Sequence, residues 1–240
     1  PARICETIAR ALYHTAACTI AVTPTALRQI QSRGLPAERV LLAPNAASTH
    51  TPSEITYTPR SEFVAMYAGN LGLATDVDVL AEVAALVAPD GITLELVGDG
   101  AERARLERRA GAERLSNLRF RGTMPRDDAM RALAGASVAL IPLRAGIQES
   151  VPTKIYDALS LGVPAIVAAN GEAERIAREL GAAHVPAGDA AAIAQTLRAF
   201  ARLDPSERRA IGERGRNAVR QRADRAGIMT SVAARVSALS

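Results

Sequence analysis

The hydrophobic pattern of the chain changes period several times. Apolar residues at helical spacing (Ile4, Ile8, Ala11, Leu12) predict a helix over Ala2 to His14. The short apolar run Thr19 to Val22 predicts a strand. Thr23-Pro24-Thr25 then opens a helix with proline in its first turn, running to about Arg33 and stopping at Gly34. Val40 to Ala43 predicts a second strand, ended by Pro44-Asn45. This is one βαβ unit. A single unit cannot cover both faces of a parallel sheet, so further strands are expected ahead of residue 1. The start at Pro1, without methionine, reads as a processed or excised piece.

Residues 47–62 are rich in Thr, Ser and Pro with little periodicity and read as a linker. From Phe63 a long alternation begins. Strands are predicted over 63–68, 92–97, 118–120, 138–143, 164–168 and 183–186. Helices are predicted between them, over 77–87, 102–110, 126–133, 152–161 and 172–180. From Asp189 the pattern is helical, with a break near Leu203-Asp204-Pro205. Such alternation argues an α/β protein with a doubly wound, Rossmann-like parallel sheet. The chain divides into 1–46, a linker over 47–62, a main domain over 63–222 and a terminal helix over 223–240. Ligands of such sheets bind at the carboxyl ends of the strands. The turns after Ala68, Val97, Gly122 and Leu143 all lie on that edge, so Asn70, Gly72, Asp99, Thr123, Met124, Glu149 and Lys154 are expected to converge on one rim.

Composition removes several function classes. There is no tryptophan and only 3% aromatic residues, so stacking platforms for single-stranded nucleic acid are missing. The net charge is only +4, and basic and acidic residues alternate along predicted helices, as in Glu107-Arg108-Arg109 and Glu213-Arg214. That is a solvated face rather than a phosphate-binding stripe, and no nucleic-acid partner is expected. Cys5 and Cys18 have no motif spacing and read as reduced, buried thiols of a cytoplasmic protein. His14, His50 and His184 are scattered, so no metal site is expected. No apolar run is long enough to cross a membrane.

One stretch stands out chemically: Glu149-Ser-Val-Pro-Thr-Lys-Ile-Tyr-Asp157. It holds Lys154, the one lysine among 29 basic residues. Lysine is a compact charge on a flexible stem and arginine a planar fork, so a lone lysine marks a place where arginine does not fit. Lys154 falls in the first turn of the predicted helix, where the helix dipole disfavours a cation but free N–H groups favour an anion. An anion held between them reconciles the two; an i,i+3 pair with Asp157 is the plainer alternative. Glu149 and Asp157 flank this helix start, and a nucleotide sugar has the matching layout of sugar hydroxyls, diphosphate and ribose hydroxyls. A capping carboxylate and a surface Asp would give the same spacing. Gly98-Asp99-Gly100 is no dinucleotide fingerprint, because Arg103 stands where the third glycine belongs. Neither a Walker motif nor a Gly-x-Ser-x-Gly elbow occurs.

These residues carry a resemblance. Phe63 to Ala223 resembles the C-terminal, donor-binding half of a GT-B glycosyltransferase, specifically glycosyltransferase family 4 (glycosyl transferases group 1). The family marker Glu-x7-Glu stands here as Glu149 to Asp157, with Asp in second place. Ala158-Leu-Ser-Leu-Gly-Val-Pro-Ala165 is similar to the family's sequel, and Tyr67 to Leu71, Leu96 to Gly100, Phe120 to Thr123 and Ala139 to Pro142 match further landmarks in order. Leu12 to Asn45 resembles the end of the N-terminal acceptor domain, which makes the βαβ unit its remnant and the rest of that half a missing partner. The resemblance implies a retaining transferase that binds a nucleotide-diphosphate sugar as substrate, a UDP-sugar ahead of a GDP-sugar, without cofactor or metal. Glu149 would bind the donor sugar and Asp157 the ribose hydroxyls. Backbone N–H groups within Val151 to Lys154 (Val151, Thr153 and Lys154), at the helix start, would bind the diphosphate, with Ser150 and Pro152 also donor-binding, and Thr123 and Met124 would lie against the base. The Val-Pro-Thr-Lys form is similar to a subgroup that builds O-antigen and capsule-type polysaccharides, with a glycan or lipid-linked acceptor and contact with the inner face of the membrane.

Two departures qualify what the resemblance implies. The family's two diphosphate cations on the first loop are Asn70 and Thr75 here. Lys154, with Arg144, is expected to replace them, so that loss of Lys154 weakens diphosphate binding far more than loss of Arg126. Most of an acceptor domain is also missing, so residues 1–240 alone are expected to be incomplete as an enzyme. A nucleotide-sugar epimerase or phosphorylase on the same fold, and a non-catalytic nucleotide-binding or partner-binding domain, are the alternatives. A phosphorylase would need a pyridoxal-phosphate lysine, and the one lysine sits at the predicted diphosphate rim instead.

Overall fold

The computed structural model describes residues 2–47, 55–223 and 225–238. The N-terminal part is helix α1 (Ala2–Thr15), strand β1 (Thr19–Ala21), helix α2 (Pro24–Ser32) and strand β2 (Val40–Leu42). Strands β1 and β2 pair in parallel, so the βαβ unit is present as predicted. The Thr23 hydroxyl caps α2 by accepting from the Ala26 N–H at 3.1 Å, with Pro24 as the first helical residue. Cys5 lies exposed on α1, against the expectation of a buried thiol, because α1 has no layer packed over its outer face among the described residues.

The main domain is a six-stranded sheet. Its strands are β3 (Val64–Ala68), β4 (Thr93–Val97), β5 (Leu118–Gly122), β6 (Val138–Pro142), β7 (Ala165–Ala168) and β8 (Ala183–Val185). All neighbouring pairs are parallel, and the spatial order is β5-β4-β3-β6-β7-β8. Strands β3, β6 and β7 read as near-continuous apolar runs because helices cover both of their faces, and β4 is equally buried but carries Thr93 and Glu95. On one face, α3 (Val77–Val87), α4 (Arg103–Ala112) and α8 (Ala190–Arg202) bury Leu80, Leu106 and Leu197 against Tyr67, Leu94 and Leu140. On the other, α5 (Arg126–Ala134), α6 (Thr153–Ser160), α7 (Glu172–Glu179) and α9 (Pro205–Arg222) bury Leu133, Ile155, Ala177 and Val219 against Met66, Ile141 and Val167. The strand order reverses between β3 and β6, so a crevice opens at their carboxyl ends.

Element ends differ from the sequence expectation by one or two residues. Short 3-10 turns at Ala37–Arg39 and Ala88–Asp90 arise where Pro36 and Pro89 fix the chain direction. Of the expected linker, residues 48–54 lie outside the described residues. Its later part is not a free tether: the Tyr57 hydroxyl donates to Ser137 O at 3.0 Å, and the Arg60 guanidinium donates both ways to the buried Glu95 carboxylate at 3.0 and 2.9 Å. Helix α9 ends at its C-cap Ala223, and the terminal helix α10 (Arg225–Ser237) returns to the N-terminal part, where Arg235 donates to Glu38 O. Asp224 and residues 239–240 of that segment lie outside the described residues. No described helix is long and apolar enough to cross a membrane.

Candidate functional site

The first turn of α6 faces the crevice. Pro152 is the residue before the helix, and no side chain caps the N–H groups that follow. The first N–H groups of a helix lack internal partners, so they are free to meet a ligand. No acidic residue offsets the dipole in this turn; Lys154 stands there instead.

The Lys154 side chain runs over Gly69, the first residue after β3, and its ammonium lies 5.3 Å from the centre of the Tyr67 ring. The fit is close. Gly69 has φ 142°, and a Cβ there would overlap the Lys154 Cε and sit 2.9 Å from its Nζ. Burial pushes the Lys154 pKa down, opposed by the Asp157 charge. The ammonium forms neither a hydrogen bond nor a salt bridge with any described residue. The loop beneath it is braced by one hydroxyl pair: Tyr67 donates to Asn70 O at 2.5 Å, and Thr75 Oγ1 lies 2.8 Å from the Tyr67 oxygen and donates to Asn70 O at 3.0 Å. Thr75, at the position of an absent cation, thus shapes the floor under Lys154.

A cavity of about 400 Å³ opens beside this lysine. Three of the four methionines, Met66, Met124 and Met130, line it together with Val97, Leu133 and Ile141. Thr123, Arg126, Thr153, Lys154 and Asp157 form its polar part. Asp157, one turn along α6 from Thr153, is 16% exposed and accepts from Arg126 Nη2 at 3.1 Å. Burial pushes the Asp157 carboxyl up, and Arg126 pulls against that rise.

The remaining candidates sit around this core without lining it. Asn70 and Gly72 belong to the loop over the β3 end, with the Asn70 amide lying against Gly72 and Gly100. Asp99 is exposed and accepts from the Gly100 N–H at 2.7 Å. Ser150 is exposed, and Pro152 is half-buried at the helix start. Val151 is buried and turns its carbonyl to the Asn45 amide at 2.8 Å. Three expectations of placement need correcting. Arg144 does not reach the cavity; its guanidinium lies 3.9 Å from Glu102, which Arg105 holds more closely at 2.7 Å, and its backbone N–H donates to Ala74 O. Glu149 does not face the cavity either, because Gln29 of α2 donates to its carboxylate. Arg126, expected to matter far less than Lys154, lines the cavity and pairs with Asp157. Its position directly after the Thr123-Met124-Pro125 turn, at the start of α5, places it near the rim, but its pairing with Asp157 comes only from the packing of α5 against α6.

The N-terminal part meets the main domain on this side. Glu172 at the start of α7 is 6% exposed and accepts from the Thr25 N–H at 3.0 Å and the Thr25 hydroxyl at 2.5 Å, while Arg175 donates to its other oxygen at 2.9 Å. Burial pushes the Glu172 carboxyl up, but these donors together outweigh it and hold the pKa below the ordinary value.

The family model described as glycosyl transferases group 1 matches residues 62–202. The chain belongs to the group 1 glycosyl transferases. Its sheet, strand order and flanking helices are those of the Rossmann-like half of a GT-B fold. Among solved structures, Anabaena HepE in complex with UDP and glucose is similar with a TM-score of 0.77 at 18% identity, over 92% of this chain and 63% of that one. Sucrose-phosphate synthase from Thermosynechococcus elongatus aligns with a TM-score of 0.78 at 22% identity, over 98% of this chain and 62% of that one. Staphylococcus aureus TarM, in a complex containing UDP, aligns with a TM-score of 0.78 at 14% identity, over 96% of this chain and 46% of that one. This glycosyl transferase chain therefore spans less than two thirds of the length of these structures. No curated protein matches it in sequence.

Proposed function

We propose that this chain is the donor-binding part of a retaining glycosyltransferase, taking a nucleotide-diphosphate sugar and passing the sugar to a glycan or lipid-linked acceptor in surface polysaccharide synthesis. The observation that carries the reading is the Lys154 ammonium, which has no hydrogen-bond or ion-pair partner among the described residues, beside the uncapped start of α6 at the mouth of the switch-point cavity. A half-buried ammonium whose described contact is a single aromatic ring loses hydration that an anion would replace. In this reading the diphosphate sits between Lys154 and the N–H groups of Thr153 and Lys154. Asp157 accepts from the ribose hydroxyls, and the base lies on Thr123 and the methionine wall. Charge developing on the departing diphosphate is stabilised by the same preorganised groups. Glu149 meets the donor sugar at the junction with α2. HepE and TarM were each crystallised with UDP, which supports a uridine nucleotide for this cavity too.

The acceptor side belongs to a further N-terminal half, supplied in the same polypeptide or another. Ile4, Ile8 and Leu12 form an exposed stripe on α1, and Ile20, Val22 and Leu42 are exposed on and beside the two-stranded sheet. A parallel sheet is buried on both faces, so this apolar surface suits additional strands and helices. A second reading, a nucleotide-binding or partner-binding domain without turnover, is favoured by Thr75, a buried hydroxyl where the resembled motif has a cation.

Calorimetry with UDP and GDP in the presence of EDTA tests the reading. UDP is expected to bind, more tightly than GDP and unaffected by the chelator; a folded chain that binds neither, with or without an N-terminal half, overturns it. Sugar transfer is expected only once that half is added. Binding that never leads to turnover supports the second reading.

A further inference from the structure

We infer that Arg126 is a positioning residue of the nucleotide site: it holds the Asp157 carboxylate ionised and aimed into the cavity, and so sets the acidic limit of nucleotide binding. The inference rests on the proposed reading of the cavity as a nucleotide site, and nothing in that reading requires a cation opposite Asp157.

Geometry carries the argument. Arg126 is the first residue of α5 and Asp157 lies in the second turn of α6, so the pair spans two helices across the cavity. The guanidinium is half exposed, whereas the carboxylate is only 16% exposed. One Asp157 oxygen accepts from Arg126 at 3.1 Å, and no other described side chain donates to the carboxylate. The charged groups that face Asp157 are Arg126 from α5, Lys154 from its own helix and Arg225 from α10. Only Arg126 touches it. Lys154 reaches over Gly69 toward the Tyr67 ring, and Arg225 acts through space.

A carboxylate in this setting has two states with different hydrogen-bonding capacity. Ionised, it accepts from both hydroxyls of a ribose; protonated, it presents a donor and loses acceptor capacity. Burial favours the protonated form, and a contacting guanidinium favours the ionised one. An opposite charge at this range lowers a carboxyl pKa by roughly one to three units. Asp157 is one methylene shorter than the glutamate usual in the resembled motif, and at 16% exposure it meets Arg126 at 3.1 Å. Arg126 thus keeps the acceptor state populated before a ligand arrives, without entering the chemistry.

The test compares the wild-type chain with Arg126→Gln and Arg126→Lys. Carboxyl-carbon NMR follows the titration of Asp157 without ligand, and calorimetry follows UDP affinity from pH 5 to pH 8. In Arg126→Gln the Asp157 midpoint is expected to rise by about one unit or more. UDP affinity is expected to fall mainly at the acidic end, about tenfold per unit of that shift, and to converge with wild type above the midpoint. Arg126→Lys is expected to restore part of both. An unchanged Asp157 midpoint, or an affinity loss equal at every pH, overturns the positioning role while leaving the nucleotide reading intact. A wild-type chain that binds no UDP, even with an N-terminal half, overturns that reading and the role with it, whatever the Asp157 titration shows.

Discussion

Replacement of Lys154 by alanine is expected to weaken UDP binding roughly fiftyfold to a hundredfold, about 2.5 kcal/mol, from the loss of charge-assisted hydrogen bonds to the diphosphate. Binding of the nucleoside uridine, which has no phosphate, should change little. Lys154→Arg should not restore UDP affinity, because the stem crosses Gly69 in van der Waals contact and a planar fork has no room there. Gly69→Ala should reproduce much of the loss, since its Cβ would overlap the Lys154 Cε at a backbone φ of 142°. The pH dependence adds a check with opposite signs. Burial lowers the folded pKa of Lys154 below 10.5, so the unfolded chain binds more protons between the two values. Stability therefore rises as pH climbs through the folded pKa toward 10.5. UDP affinity falls over the same alkaline window, because the neutral amine no longer attracts phosphate. Lys154→Ala should remove both slopes, seen by urea midpoints and calorimetry across pH. A variant that binds UDP like wild type would place the diphosphate elsewhere.

Much of this arrangement is legible in the chain because parallel strands announce themselves. Val138 to Leu143 is apolar throughout, and a sheet covered on both faces favours that composition; Ile92 to Val97 departs from it only at Thr93 and Glu95, whose side chains are bonded to Glu62 and Arg60. Pro152-Thr153 marks the start of α6 because proline suits the edge of a helix and not its interior. Lys154 is conspicuous because every other basic residue is arginine. Side-chain direction is where the sequence falls silent. Arg126 stands beside Asp127 and Asp128 and looks like part of a solvated face. Only the placement of α5 against α6 turns it to Asp157, 31 residues away. Glu149 meets Gln29 across 120 residues, a distance no spacing rule spans. Thr75 reads as a lost cation, yet its hydroxyl braces Tyr67 and the Asn70 carbonyl, and that role needs the loop's folded path.

Helix α9 gives the other large effect. Its sequence is dense in charge, yet Arg208, Gly212, Gly215 and Val219 form one buried stripe against the main domain. Glycine inside a helix costs about 1 kcal/mol relative to alanine. On propensity alone Gly212→Ala would therefore stabilise the protein by about that much. The packing says the reverse: a Cβ at Gly212 would overlap Gly162 O, lie 2.6 Å from its carbonyl carbon and meet Pro164 Cδ at 3.3 Å. The obstacle is backbone, held between the end of α6 and the start of β7, and cannot rotate aside. Overpacking of this kind costs about 3 kcal/mol, enough to lower the Tm of a chain this long by roughly 10 °C. Gly215→Ala is the control. Its Cβ meets the Leu159 side chain, with Cδ2 at 2.7 Å, and a leucine can change rotamer. Urea unfolding should therefore show a large loss for Gly212→Ala and a small one for Gly215→Ala. Equal changes, or a gain at Gly212, would mean that α9 does not approach α6 this closely. The consequence extends to the cavity, because α6 carries Lys154 and Asp157 at one end and rests on α9 at the other.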